Sequence, residues 1–224
     1  MLYDFHTHSL LSDGSLSPME LIYRSLTSGY GAIAITDHSG LGYLNRVVRE
    51  VTLDCALARA KWPIKSIPGV ELTYLPPDAI HETARRAKEL GAWVVVVHGE
   101  TIVEPVEKGT NKAALQSPYV DILAHPGLLT KEEAKLAADN GIYLEISARK
   151  GHSFTNGYVA RLAREAGAKL LLDSDAHDPS DILSPALARN ILLGAGLDES
   201  ECVKVLEDNP KEFLDTILKK SLPI

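Results

Sequence analysis

Cysteine is scarce. The 224 residues contain two, Cys55 and Cys202, both in stretches with helical patterning, so no disulfide framework is indicated. Positive charge is also short: 23 Lys and Arg face 30 Asp and Glu, a net charge of −7. That balance disfavours a non-specific polyanion binder, which needs clustered Lys and Arg for phosphate backbones, although a local basic patch stays compatible with it. Aromatic residues make up 6% of the chain, too few to suggest a stacking platform for single-stranded nucleic acid. No apolar run approaches the ~18 residues of a membrane helix, and Asp4 stands where a signal peptide needs an apolar core. The expectation is a cytoplasmic protein with no membrane partner. What is abundant is ordinary: 45% hydrophobic and 24% charged residues, the composition of a globular domain.

The chain alternates strand and helix. The first strand pattern, Leu2 to His8, puts Asp4, His6 and His8 on one face, because side chains two apart in an extended segment point the same way. Ser17-Pro18-Met19-Glu20 reads as a capping box with Pro in the first turn of a helix that Gly29 ends. Further strands are read at 32–36, 65–72, 92–97, 120–124, 142–146 and 169–172, with helices between them. The run Trp93 to Val97 is continuously apolar, as in a strand covered on both faces. Thr130 to Glu133 is a second capping box, and Asp198 to Glu201 and Asn209 to Glu212 read as caps of two terminal helices. Seven strand–helix units imply parallel strands with right-handed crossovers. In this length they suggest an α/β fold, a closed or nearly closed (β/α)7 barrel over residues 1–224 with the helical segment 198–224 packed on it. An open doubly wound sheet is the alternative.

Nearly every strand pattern ends in a His, Asp or Glu. Parallel strands of a barrel deliver their C-terminal ends to one face, where sites are built. Arriving there are His6 and His8, Asp37 and His38, Glu71, His98, His125, Glu145, and Asp175 with His177. Any one of these taken alone reads as a hydrogen-bonded structural residue. Together they would repel or stay unpaired unless cations bridged them. One tetrahedral ion cannot use so many ligands, so two or three divalent ions are expected, and a His and carboxylate set suits Zn²⁺, Mn²⁺ or Fe without selecting one. A carboxylate can bridge two cations where an imidazole cannot, which makes Glu71 or Asp175 the expected bridge. Asp4 and Asp37 are placed beside the histidines as acceptors that orient them.

The motifs Asp4-x-His6-x-His8, Ser12-Asp13-Gly14, Thr36-Asp37-His38, Gly69-Val70-Glu71, His98, Ala124-His125-Pro126 and Ser174-Asp175-Ala176-His177 resemble the four-motif signature of the PHP family. That family is named from DNA polymerases and histidinol phosphatase. The resemblance spans residues 4 to 177 and implies a distorted seven-stranded barrel with a trinuclear site. By motif, His6, His8, Glu71 and Asp175 would hold one metal, Glu71, His98 and His125 a second, and Asp13, His38 and His177 a third. Asp13 departs from the pattern, since many small family phosphatases carry His at that position.

Adjacent divalent metals lower the pKa of a shared water and clamp a phosphate oxygen, so hydroxide can attack phosphorus in line. Glu71, Asp175 and Arg149 are the expected catalytic residues, Arg149 as a bidentate phosphate ligand or else a solvated loop charge. Lys112 could reach the same rim. His152 is read as a surface residue or a leaving-group acid, and His81 as structural or at the pocket edge. Three functions compete. A phosphatase of a small phosphorylated metabolite is favoured by the short, acidic chain. A metal-dependent nuclease or phosphodiesterase would call for a basic, aromatic groove. A non-catalytic binding protein would be like the RNase P barrel subunit, which the fold resembles and which lacks the ligand set. Oligomeric state is not written in the sequence.

Overall fold

A computed structural model describes residues 1–221. Seven parallel strands form a nearly closed barrel wall: β1 (Leu2–Asp4), β2 (Tyr30–Ile35), β4 (Lys65–Leu72), β5 (Val94–His98), β6 (Ile122–Ala124), β7 (Tyr143–Ser147) and β8 (Leu170–Asp173). The neighbour order follows the chain, β1-β2-β4-β5-β6-β7-β8, as expected when each strand returns beside its predecessor through a helix. A further two-residue strand, β3 (His38–Ser39), lies off this path and pairs parallel with the end of β4, opposing His38 to Glu71. The helices α1 (Pro18–Thr27), α2 (Leu44–Lys61), α3 (Pro77–Glu89), α4 (Thr110–Leu115), α5 (Lys131–Asn140), α6 (Asn156–Ala166) and α7 (Pro185–Gly194) cover the outside. Their apolar faces and the outward strand residues form the larger core.

The seam between β1 and β8 explains why closure is incomplete along the strands. Backbone pairing joins the two only beyond their ends: Asp175 N–H donates to His6 O at 2.9 Å and His8 N–H to Ala176 O at 2.8 Å. Below that, carboxylates do the joining. Asp173 Oδ1 accepts from Phe5 N–H at 2.6 Å, and Asp4 Oδ1 accepts from Ser174 N–H at 3.1 Å. The first strand therefore ends at Asp4 rather than running to His8, and residues 5–8 are held as an extended tail across the seam.

Inside the barrel, Phe5, Ala32, Ala34, Ile67, Val94, Val96 and Ile122 pack against each other. The end of the barrel opposite the strand C-termini is stopped by α9 (Asn209–Ser221). Phe213 sits edge-on to Phe5 at 4.7 Å and to Tyr143 at 5.0 Å between ring centroids, with Ile217 beside it. The two terminal helices expected from the sequence are one continuous rod. Asn209 has helical dihedrals (φ −60°, ψ −48°), and α8 (Glu199–Val203) runs into α9 through a π-helical turn at Lys204–Asp208. The cause is Pro210, which has no N–H to give a normal α-helical bond, so the preceding turn widens. Asn209 instead donates its side-chain amide to Leu170 O at 2.8 Å. The Ser17 box is half formed. Ser17 accepts from Glu20 N–H, but the Glu20 carboxylate turns to Arg24, while the Thr130 and Asp198 boxes form fully. Among the described residues no helix is long and apolar enough to cross a membrane.

The buried Phe213 ring gives the barrel floor a measurable share of stability. Phe213→Ala should cost about 3–5 kcal/mol, read as a lower urea midpoint at unchanged slope. A loss under about 1 kcal/mol would mean the floor collapses around the missing ring.

Candidate metal centre

The strand C-termini open into a cleft of about 680 Å³ lined by Ser12, Asp13, His38, Tyr43, Thr73, Tyr74, His98, Glu104, Arg149, His152, Asp175 and His177, among others. At its floor lies the Glu71 carboxylate, wholly buried. Oε1 is 3.4 Å from His6 Nε2, 3.5 Å from His125 Nε2 and 3.2 Å from His98 Nδ1. Oε2 is 2.5 Å from His38 Nδ1 and 3.7 Å from His8 Nε2. Five imidazoles thus face one carboxylate. Burial alone would raise the Glu71 carboxyl, but His38, His6 and His98 outweigh it and hold it well below its usual range. Asp175 is a second hub. Its Oδ1 is 3.2 Å from His8 Nε2, and its Oδ2 is 3.8 Å from His125 Nε2 and 3.7 Å from His152 Nε2. Burial opposes ionisation there too, and His6 and His8 again hold the carboxyl low.

The local backbone explains how side chains from six strand ends meet. His125 (φ 31°), Asp175 (φ 52°) and Tyr74 (φ 53°) are the non-glycine residues with positive φ among those described, and all three border the cleft. Such conformations persist only where the surroundings over-determine them, and they concentrate at functional sites. The loop that carries Asp13 is folded onto Asp37, whose carboxylate accepts from Ser9 N–H, Ser9 Oγ–H, Ser12 N–H and Ser12 Oγ–H at 2.7–3.1 Å. Gly14 closes that loop at a spot where a Cβ would lie 2.4 Å from His8 O. Asp37 therefore braces the Ser9–Ser12 loop and Asp4 the seam, not imidazoles, which corrects the expectation for both. The acceptor that orients His6 is Glu145, 2.6 Å from Nδ1 and fully buried. His6 Nε2 faces Glu71 and Asp175; burial opposes charging of the ring, but Glu145, Glu71 and Asp175 outweigh it and raise its pKa well above the usual value.

The expected ligands come together in overlapping groups: His8, Asp13, His38 and His177; His6, Glu71 and His125; His6, His8 and Asp175; His38, Glu71 and His98. In each group one ligand atom per residue lies within 4.8 Å of the others, so these sets could hold cations. Their fit to a metal shows in buried polar atoms without a hydrogen-bond partner, His8 Nδ1, His125 Nδ1 and Asp175 Oδ1. His6 Nε2 and His8 Nε2 lie 3.0 Å apart, a hydrogen bond in the metal-free chain. Two imidazole nitrogens at that separation match ligands of one ion at about 2.0–2.1 Å each. The His8 ring centroid is 4.1 Å from that of His38 and 4.2 Å from that of His177. Burial and the neighbouring His38 push the His8 pKa down to about 3, so its imidazole is neutral and can act as a ligand.

Other side chains reach the cleft from positions that carry no local signal, or lie away from where the sequence suggests. His152 is 4% exposed rather than a surface residue, stacks on His125 at 4.1 Å between centroids, and forms a further candidate group with His125 and Asp175. Burial and His125 bring its pKa down to about 4. Glu104, from the loop after β5, lies 3.0 Å from His98 Nε2, at ion-pair distance but without hydrogen-bond alignment. Thr73 Oγ1 is 2.7 Å from His38 Nδ1. Lys112 lies on the exposed side of α4 and does not line the cleft, and His81 is an exposed residue edge-on to Tyr119. Arg149 does line the cleft, donating from Nη1 to His177 Nδ1 at 2.7 Å and to Asp175 O at 3.2 Å.

A family model described as PHP domain matches residues 4–124. An uncharacterized protein of Methanocaldococcus jannaschii is 47% identical over 97% of this chain and 100% of its own length. Ribonuclease P protein component 3 of Methanosarcina mazei is 30% identical over 99% of this chain and 90% of its own. A probable phosphatase of Thermoanaerobacter sp. is 26% identical over 96% and 94%. Among solved structures, a chain of archaeal ribonuclease P with mature tRNA superposes with a TM-score of 0.71 at 15% identity, covering 96% of this chain and 91% of that one.

His98 lies between Glu71 and Glu104. Burial opposes its charging, but the two carboxylates win and raise its pKa to about 10. In the metal-free chain that shift is stability complete below about pH 6.5 and lost as pH rises through about 10. Metal uptake must displace the proton, so affinity for Zn²⁺ should rise with pH, with at least about one proton released per chain at pH 7. Calorimetric titration in buffers of different ionisation heat measures the release. Uptake with no buffer dependence would contradict this charge assignment.

Proposed function

The chain is a member of the PHP family, and on that basis we propose that it is a metal-dependent phosphoesterase that hydrolyses a small phosphate monoester, as a histidinol phosphatase does. The observation that supports this most is the convergence of His6, His8, Asp13, His38, Glu71, His98, His125, Asp175 and His177 on one cleft, in overlapping groups of three or four with ligand atoms close together. We assign His6, His8, Glu71 and Asp175 to one divalent ion, Glu71, His98 and His125 to a second, and Asp13, His38 and His177 to a third. Two to three ions of Zn²⁺, Mn²⁺ or Fe fit such donors. Bound together, such ions lower the pKa of a shared water and offset the charge of phosphoryl oxygens.

The protein's own groups carry the remaining work. Glu71 would supply a charge to ions held at the floor of the cleft, and Asp175 ties that floor to the seam through its N–H to His6 O. Arg149 offers its guanidinium fork to the non-bridging oxygens of the ester, exchanging its present contacts with His177 and Asp175 O for phosphate. His152, held neutral at pH 7 by burial, acts as an acceptor or ligand beside Asp175 rather than as the leaving-group acid.

The relative named ribonuclease P protein component 3 favours a second reading, in which the chain docks on RNA within an assembly. The net charge of −7 and the carboxylates of Asp13 and Glu104 at the mouth weigh against RNA entering the cleft, though not against docking by another face.

Paired kinetics separate the chemistries. With metals held constant, wild-type protein should hydrolyse p-nitrophenyl phosphate faster than bis-p-nitrophenyl phosphate, because a dianionic monoester exposes more charge to Arg149. Arg149→Ala removes two charge-assisted hydrogen bonds of ~1.5–3 kcal/mol each, and should lower kcat/KM on the monoester by at least roughly tenfold and on the diester by less. Faster cleavage of the diester, of single-stranded DNA or of RNA would overturn the monoesterase reading.

A further inference from the structure

The loop between β5 and α4 sends Glu104 into the cleft from a fixed neck. Glu100 N–H donates to Asn111 Oδ1 at 2.9 Å, and the Glu100 carboxylate accepts from the backbone N–H groups of Gly109 and Asn111 at 2.9 and 3.0 Å. Asn111 in turn donates from Nδ2 to Pro126 O at 2.8 Å, which ties the neck to the loop after β6. A Cβ on Gly127 would lie 1.9 Å from Glu100 O, so the two loops pack backbone against backbone. Beyond that neck, Thr101 Oγ1 lies 2.8 Å from His152 Nδ1, and the Glu104 carboxylate lies 3.0 Å from His98 Nε2.

A neutral His98 can offer one nitrogen to an ion. Its Nδ1 is the one that faces the buried carboxylate, 3.2 Å from Glu71 Oε1, and His38, Glu71 and His98 form one of the candidate groups. Nε2 then has to carry the proton, in a side chain only 3% exposed. A buried N–H without an acceptor is costly. In the metal-free chain this nitrogen has no aligned partner, and Glu104 Oε2 is the carboxylate oxygen that faces it, 3.0 Å away. Hydrogen bonds at such sites often come into line only when the site is loaded. The same Glu71 oxygen meets a second imidazole backed in this way: His6 Nε2 lies 3.4 Å from Oε1, and Glu145 lies 2.6 Å from the far nitrogen, Nδ1. Among the described residues no candidate group of ligand atoms includes Glu104, which places it behind His98 rather than among the ligands.

We propose that Glu104 is a positioning residue of the metal centre, the acceptor that holds His98 with its proton on Nε2 and its Nδ1 free for an ion. The proposal rests on the assignment of Glu71 and His98 to a shared ion in the reading above. A carboxylate on the far nitrogen fixes the orientation of the ring and strengthens the other nitrogen as a ligand. Glu145 is placed to do this for His6 from the barrel wall, and Glu104 does it for His98 from a loop, with the Tyr74 hydroxyl donating to its Oε2 at 3.3 Å. The two carboxylates differ in access, since Glu145 is fully buried and the Glu104 side chain is 35% exposed. The ion held through His98 is therefore the one whose grip depends on this loop.

Zn²⁺ binding tests this without turnover. Stepwise affinities are measured on the full chain by competition with a chromophoric chelator, for wild type, Glu104→Ala, Glu104→Gln and Ile102→Ala. Glu104→Ala should weaken one ion by about 10–100-fold and leave the others unchanged. Glu104→Gln keeps an acceptor oxygen and should recover part of that loss, while Ile102→Ala, on the same loop at a side chain open to solvent, should match wild type. Spectra of the Zn²⁺-loaded protein labelled with ¹⁵N-histidine should show a ring ligated through Nδ1 whose Nε2–H exchanges slowly in wild type and rapidly in Glu104→Ala. Unchanged affinity in Glu104→Ala, equal losses in Glu104→Ala and Glu104→Gln, a matching loss in Ile102→Ala, or a His98 ring ligated through Nε2 overturns the proposal. Wild-type protein that takes up no Zn²⁺ overturns it together with the metal centre. Hydrolysis of glycerol 2-phosphate by the loaded wild type tests the phosphoesterase reading separately. A Glu104-dependent ion with no hydrolysis of any monoester would remove that reading and keep the proposal.

Discussion

One buried carboxylate sets the terms for this molecule. Glu71 has no solvent and no Lys or Arg partner. Five imidazoles surround it, and several of them face a second carboxylate, Asp175. Taking such a charge from water is costly unless it is matched nearby. Without cations, part of the match is made by protons, as the raised His98 and His6 show. Other positions stay unmatched: His8 is forced neutral, and buried nitrogens on His8 and His125 lack partners. A cluster in which protons do only part of the balancing is one that could hold cations.

The fold answers that constraint with rigidity. The β1–β8 seam is stitched by Asp4 and Asp173, which positions the His6–His8 tail across the mouth of the barrel. Both carboxylates are buried, and burial pushes Asp4 up to about 7 and Asp173 well above its ordinary value. Stability is thereby spent on geometry close to the site. The far end has no such conflict, since α9 caps it with Phe213 and Ile217.

How much of this was legible in the sequence follows from the range of the signals. The barrel was, because strand and helix periodicities are local, and the ends of β4 and α6 stand where the patterns put them. The gathering of the strand-end His, Asp and Glu side chains was, because parallel topology delivers strand ends to one face. The misses are non-local. Asn209-Pro210 reads as a cap, yet the helix runs through it, since packing of α9 under the barrel outweighs a local preference. His152 opens a short 3₁₀ helix and Glu104 sits on a loop, and only the fold brings them against His125 and His98. Glu145 could be seen as a strand-end acid, but its place under His6 Nδ1 depends on β7 and the seam. Tyr74 carried no signal, because a left-handed tyrosine is invisible to propensity.

The claim on which all of this depends is that Glu71 is shared between cations. Elemental analysis of protein purified without chelators, paired with anomalous scattering from crystals of the same preparation, tests it most directly. The account predicts two to three divalent ions per chain, with two of them flanking the Glu71 carboxylate, and a folded Glu71→Gln protein that loses those two together. A folded wild-type protein that stays metal-free when offered Zn²⁺ or Mn²⁺, or a Glu71→Gln protein with the full complement, would contradict it.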